Sequence, residues 1–376
     1  MNHRFRLRSI ALRVIAAWSI SLVIHAVMFM SALRPTAVWA AEPTKSSLIS
    51  KVPLREGLMI VSAFQPPTGL DHEAILTITH IDPKTVAVSL SDDEPITCPG
   101  QGSNSPNNSR FLTHRGILRE DLANAHAYVQ RFPLCASKPE FTPGVTGVSF
   151  STSVLRELKT KGRTNLTVYY AGMGMVPGVL TRVESEPVPY KVIVNDVQSE
   201  IAVVHARWQS DQRDREYWIL DDVSNPLVLR TSSNGKAFQE VVKLSFPTGD
   251  QAVRLERDLS GQGRTVVYGI YFDFASDHIK EESEPELKEI ADVMMKNPTW
   301  RLAVEGHTDN LGGTEANLQL SQRRAAAVAK ALGERYKIRS TRLEPAGFGE
   351  MKPKATNETL EGRALNRRVE LVRISH

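Results

Sequence analysis

The chain has 376 residues, 46 Lys and Arg against 42 Asp and Glu, 41% hydrophobic residues and two cysteines. The formal charge of +4 is carried by the N-terminus: residues 1–40 hold five Arg and no acid, and the remainder has 41 basic against 42 acidic side chains, a net of −1. A basic face for nucleic acid is therefore excluded as the meaning of the high isoelectric point, and the length allows two or three domains.

Residues 1–41 read as an export segment. Arg4, Arg6, Arg8 and Arg13 form a basic start, Val14 to Leu33 is mainly apolar, Arg34-Pro35 breaks the run, and Val38-Trp-Ala40 offers a small-residue cleavage site. The alternative is an uncleaved membrane anchor, since a span needs about 20 residues. Residues 42–57 read as a polar linker. Residues 58–247 read as a β-rich periplasmic domain, an antiparallel sandwich or small barrel, with strands predicted over Ala74–Ile81, Thr85–Leu90, Thr164–Tyr170, Val179–Val183, Tyr190–Val194, Ile201–Trp208, Glu216–Leu220 and Leu227–Arg230. Gly100 to Asn108 is a loop, Gly116 to Phe132 is a helix candidate, and Ser233-Asn-Gly-Lys236 is a hairpin turn leading into Ala237–Phe246. Cys98 and Cys135 are an even pair in an exported chain, which predicts a disulfide between them.

Residues 248–263 read as a second linker, with a short helix over Ala252–Leu259. Residues 264–376 then predict a β-α-β-α-β-β order in a two-layer α/β fold: a strand over Val266–Phe274, a helix over Glu284–Lys296 with Pro285 in its first turn, a strand over Arg301–Glu305, a helix from Glu315 to about Arg335, a strand over Arg342–Ala346, a helical turn over Gly362–Asn366 and a last strand over Val369–Val372. The whole is an α+β multidomain chain. In the long helix Asn317, Ser321 and Arg324 are spaced i, i+4, i+7 and share a face, while Leu318, Ala325, Ala329 and Leu332 are assigned to a core face. Asp309 falls where the preceding strand ends, so an acid and a guanidinium can converge on one cleft, a pairing that suits a zwitterion.

Six motifs stand in order over about 110 residues: Phe272-Asp-Phe274, Gly306-His-Thr-Asp-Asn310, Asn317-Leu-Gln-Leu-Ser321, Arg323-Arg-Ala-Ala-Ala-Val328, Gly347-Phe-Gly-Glu350 and Gly362-Arg-Ala-Leu-Asn-Arg-Arg-Val369. Together they resemble the OmpA-like C-terminal domain. The resemblance implies a peptidoglycan-binding module in which the signature acid and arginine, here Asp309 and Arg324, bind the free end of meso-diaminopimelate in the stem peptide. It also implies that Asn317, Thr308, Phe274, Ser321 and Arg368 line or support the pocket. Ala275 stands where many members carry a polar residue.

Neither a cofactor nor a metal site is expected. Glu305, His307 and Asp309 alternate, so on a strand they could share a face and ligate a metal, but no further Cys or His lies near in sequence, and His307 is expected to be hydrogen-bonded within the fold. Since Arg367 and Arg368 are adjacent, an extended backbone turns them to opposite sides, and Arg368 is taken as the ligand contact. The reading is a non-enzymatic envelope protein of the periplasm or outer membrane of a Gram-negative-type envelope, tethered to peptidoglycan. Other envelope proteins are expected on the β domain, and membrane association through the N-terminal segment. The alternative is an envelope enzyme or sensor that its OmpA-like part only targets to the wall.

Overall fold

The computed structural model describes residues 51–65, 71–92, 111–130, 132–133, 135–170 and 172–374. The expected export segment lies outside these residues, as does the Gly100–Asn108 loop.

The β domain opens with strands β1 (Met59–Phe64), β2 (His72–Ile81), β3 (Thr85–Asp92) and β4 (Phe111–Leu118). Helix α1 (Arg119–Asn124), short strands β5 (Ala127–Tyr128) and β6 (Glu140–Phe141), and helix α2 (Thr152–Lys161) follow. Strands β7 (Arg163–Tyr170), β8 (Gly174–Arg182), β9 (Val188–Val194), β10 (Val197–Gln209), β11 (Asp214–Leu220), β12 (Val228–Ser233) and β13 (Lys236–Ser245) complete it. Strands β10, β11, β12, β13 and β9 pair in turn, and β9 pairs back to β10, so five strands close a ring. Ile201, Val203, Leu220, Leu229 and Val241 fill it, because alternate side chains of each strand point inward. Three expectations need correction. The helix candidate at Gly116–Phe132 is strand up to Leu118 and helix only to Asn124. Helix α2 was not foreseen; Ser151 caps it by accepting from the Val154 amide at 3.2 Å. The polar linker is tethered at one point, where Val52 is fully buried and its carbonyl accepts from Asn225, while Lys51, Pro53, Arg55 and Glu56 are exposed.

The C-terminal domain begins earlier than the second linker implied. Helix α3 (Gln251–Gly261) buries Leu255 and Leu259 in the C-terminal core. Then come β14 (Arg264–Val267), α4 (Glu284–Lys296), β15 (Arg301–His307), α5 (Thr314–Tyr336), β16 (Leu343–Gly349), α6 (Leu360–Asn366) and β17 (Arg368–Ile374). The sheet order is β14-β17-β15-β16, with β15 parallel to β16 and antiparallel to β17. Its first strand stops at Val267; the expected continuation to Phe274 is instead a loop pinned by the Phe272–Ile279 bridge. One sheet face packs Leu302, Val304, Val369 and Leu371 against α4 and α5. Where α5 crosses the strand ends its backbone nearly touches them. A Cβ on Gly306 would meet the Ser321 carbonyl, and one on Gly347 the Gln322 amide, so glycine at these motif positions lets helix and sheet make contact.

Helix α6 joins the two domains. Its Leu360 and Ala364 pack with Met59, Val61, Ala63, Ile75 and Val242 of the β domain. Arg363 reaches Asp71 at 2.5 Å, and at the other side of the seam Arg254 reaches Asp196 at 2.7 Å.

Candidate functional site

The end of β15 and the start of α5 are tied into one frame. The Thr308 amide donates to the Gly349 carbonyl at 3.0 Å. The Gly349 amide donates to Ser321 Oγ at 2.8 Å, and that hydroxyl donates to the Leu318 carbonyl at 2.8 Å. Asn317 Nδ2 donates to the Asp309 carbonyl at 3.1 Å and to Glu350 Oε2 at 2.7 Å. Asn317 and Ser321 are thus buried on the same stripe of α5 as Ala325 and Leu332, and Leu318 is only half-buried. The separate polar and core faces expected for this helix are one face, polar where it meets the strand ends and apolar beyond. Ser321 is fully buried and ties the end of β16 to α5.

Asp309 is 6% exposed. Its Oδ1 accepts from the Leu311 amide at 3.1 Å, and Oδ2 meets Arg367 Nη1 at 2.5 Å. Beside it the Thr308 hydroxyl is buried with no hydrogen-bond partner. Arg324 is fixed one level further along α5: Nε donates to the Ser276 carbonyl at 2.8 Å, Nη2 to the Asp273 carbonyl at 3.4 Å, and Cζ lies 4.7 Å from the centre of the Phe272 ring. The loop it grips carries Ala275 at φ 51°, a conformation that costs a residue with a Cβ energy, and Phe274, 51% exposed. Arg324 is thereby held in place by backbone and ring contacts, and Phe274 offers an apolar wall.

Of the two adjacent arginines, Arg367 and not Arg368 faces Asp309. Arg368 turns to the open face of the sheet, where Nε meets Glu370 at 2.7 Å and the remaining nitrogens donate to the Asn366 and Lys352 carbonyls. Arg367 turns to Asp309. It leaves helix α6, where Arg367 caps the C-terminal end, while Arg368 opens β17, so simple strand alternation does not describe the pair.

The open face also corrects the reading of His307. Glu305 lies opposite Glu370, and His307 opposite Arg368. Among the described residues, Glu305, His307 and Glu370 bring one donor atom each within 4.8 Å of one another; Asp309 is not part of the group. Arg264 bridges the two carboxylates at 3.4 and 2.9 Å, and Lys354 and Arg368 also face Glu370, so three cations surround the two carboxylates. His307 is 4% exposed and neither ring nitrogen has a hydrogen-bond partner. Its ring stacks on Phe348. Burial, then the Arg368 charge, pushes its imidazole down to about 4. The expected Cys98–Cys135 bond involves Cys98, which lies outside the described residues; among those described no cysteine is free.

The acid just past the tip of β15 and the arginine on the next helix stand at the carboxyl end of a strand, a common place for ligands in open α/β sheets. Residues 271–367, about a quarter of the chain, match the OmpA family model. Over 105 residues the chain is 45% identical to outer membrane porin F of Pseudomonas aeruginosa, covering 28% of this chain and 30% of that protein. Over 123 residues it is 37% identical to outer membrane protein Omp38 of Acinetobacter baumannii, covering 33% of each. The chain therefore spans about a third of the length of these curated relatives. Among solved structures, the peptidoglycan-associated lipoprotein of Burkholderia pseudomallei is 32% identical, with a TM-score of 0.26, over 28% of this chain and 88% of that one.

Proposed function

We propose that the chain is a non-catalytic protein of the cell envelope, in the periplasm or at the outer membrane, that binds peptidoglycan non-covalently through the diaminopimelate of the stem peptide. The OmpA-family domain supports wall anchoring as the general role, and the outer-membrane names of the curated relatives support the location. The observation that carries the finer reading is the fixed placement of opposite charges on one layer. Asp309 is held by the Leu311 amide and Arg367, and Arg324 by the 273–276 loop. Asn317, which props Asp309, and Arg324 lie seven residues apart on α5, about 10 Å along its axis. The free end of diaminopimelate carries an ammonium and a carboxylate. In this reading the ammonium goes to Asp309 and the carboxylate to Arg324, with Phe274 and the Thr308 hydroxyl completing the walls. Asn317 and Ser321 hold the frame, and Arg368 has no part in the contact.

Sedimentation with purified sacculi tests this. Truncating one member of a buried charged contact typically costs about 2–5 kcal/mol, so Asp309→Ala and Arg324→Ala should each reduce retention at least tenfold while leaving the fold intact by circular dichroism. Retention unchanged in both variants would reject the site. Release of soluble wall fragments by the wild type would reject the non-catalytic role.

A further inference from the structure

The ligand-site acid is not served by its own domain alone. Arg367 divides its guanidinium: Nη1 lies 2.5 Å from Asp309, and Nη2 lies 2.5 Å from Glu73 on strand β2 of the β domain. Glu73 also faces Lys243 at 3.7 Å. Burial opposes its ionisation, but Arg367 and then Lys243 overcome this and hold the Glu73 carboxyl down at about 2. It is therefore charged at any pH at which an envelope protein works. Helix α6, from whose end Arg367 projects, is itself seated on the β domain through Leu360, Ala364 and the Arg363–Asp71 pair.

We infer that Glu73 is a positioning residue of the wall-peptide site, acting through Arg367 to keep Asp309 available to an ammonium group. This rests on the reading of Asp309 given above. An arginine facing a lone carboxylate takes both oxygens in a two-pronged contact. Here Glu73 draws one prong away, so Asp309 meets Arg367 by Oδ2 only, and Oδ1 accepts from nothing but the Leu311 amide among the described hydrogen bonds. Glu73 also adds a negative charge on the far side of the guanidinium, one arginine width from Asp309. At an effective dielectric constant of about 20, one such charge changes the binding of a cation on the order of tenfold. The β domain thus contributes to the binding site's electrostatics through Glu73.

Calorimetric titration of the protein with a soluble muropeptide ending in meso-diaminopimelate tests the inference. Glu73→Gln should weaken binding about tenfold, because Arg367 then closes on Asp309. Glu73→Asp should bind within about threefold of wild type, and Asp71→Asn, which removes a docking ion pair without touching Arg367, should bind as wild type does. The decisive variant is Glu73→Gln combined with Arg367→Gln. If Glu73 acts through Arg367, removing the arginine frees Asp309 and the double variant binds more tightly than Glu73→Gln alone. A merely structural role would make the double variant equal or worse, and that result overturns the inference. So does a Glu73→Gln variant that binds as wild type, or an Asp71→Asn variant as weak as Glu73→Gln. Melting curves confirm that each variant is folded. If Asp309→Asn kills binding while Glu73→Gln does not, this inference alone fails. If the wild type ignores the muropeptide, the reading of Asp309 fails and takes this one with it.

Discussion

His307 shows how one side chain can be both well packed and poorly satisfied. It sits in the Gly306-His-Thr-Asp309 motif, stacks on Phe348 and leaves both ring nitrogens unmet. A buried imidazole with cations around it resists protonation. The unfolded chain takes up a proton near 6.5 and the folded one only near 4. Between these values the unfolded state binds more protons, so the neutral ring's contribution is complete above pH 6.5 and is lost as the pH falls toward 4. The expected loss is about 3 kcal/mol from this residue. Urea unfolding at pH 7 and pH 4 on wild type and His307→Gln should show the wild type losing more by about that amount; an equal fall in both would refute the assignment. The charge of this site's residues was legible from the sequence, and the partners were not. Asp309 and Arg324 are conspicuous as residue types, but that Arg367 and not Arg368 faces Asp309 depends on where α6 stops and β17 starts.

Helix α6 is the element on which the site and the domain junction both depend. It has only seven residues, too short to be stable alone, so its neighbours must hold it. Thr359 caps it by accepting from the Gly362 amide at 3.0 Å. At Gly362 there is no room for a side chain, since a Cβ would run into the Thr356 carbonyl. Losing a cap of this kind costs about 1 kcal/mol, whereas forcing a methyl group against rigid backbone costs about 1–3 kcal/mol and moves the helix. Gly362→Ala should therefore destabilise more than Thr359→Ala in denaturant titrations. It should also weaken sacculus retention, because Arg367 moves with the helix. If Thr359→Ala proved the more damaging, crowding at Gly362 would not be what fixes α6. The other elements divide in an instructive way. Helix α4 and the hairpin at Asn234-Gly235 follow from local signals, a proline in the first turn and a turn dipeptide. The strand expected through Phe274 failed because Gly269 to Phe274 leaves the sheet to form the loop that holds Arg324, a demand that no alternation of residues records.

Across the whole molecule, the seam between the domains contains more acid than base on one side. Asp196, from the β9–β10 turn, accepts from the Tyr268 amide at 2.6 Å and pairs with Arg254. Glu286 and Glu289 of α4 lie in the same field, and each has one carboxylate oxygen buried without a partner. Burial, then the charge of Asp196, pushes the Glu286 carboxyl well up, and burial then Asp196 lifts that of Glu289 to about 7. An acid whose folded pKa is raised stabilises the fold at low pH, where it is protonated in the native state, and that contribution disappears as the pH rises through the folded value. Glu286→Gln should accordingly raise the melting temperature at pH 8 and change it little at pH 5. A variant that is destabilised equally at both would show that the carboxyl makes a favourable contact.

From the sequence alone came the OmpA-like C-terminal part, its mixture of helix and strand and the residue types at its candidate site, because periodicity, turn chemistry and motif spacing are local properties of the chain. The tertiary structure decided which residues are neighbours. It placed α3 in the C-terminal core, turned Arg368 to the open sheet face, and brought Glu73 to Arg367 from almost three hundred residues away. Contacts at that distance depend on how two hydrophobic surfaces seat against each other, and no local pattern in either segment encodes the fit.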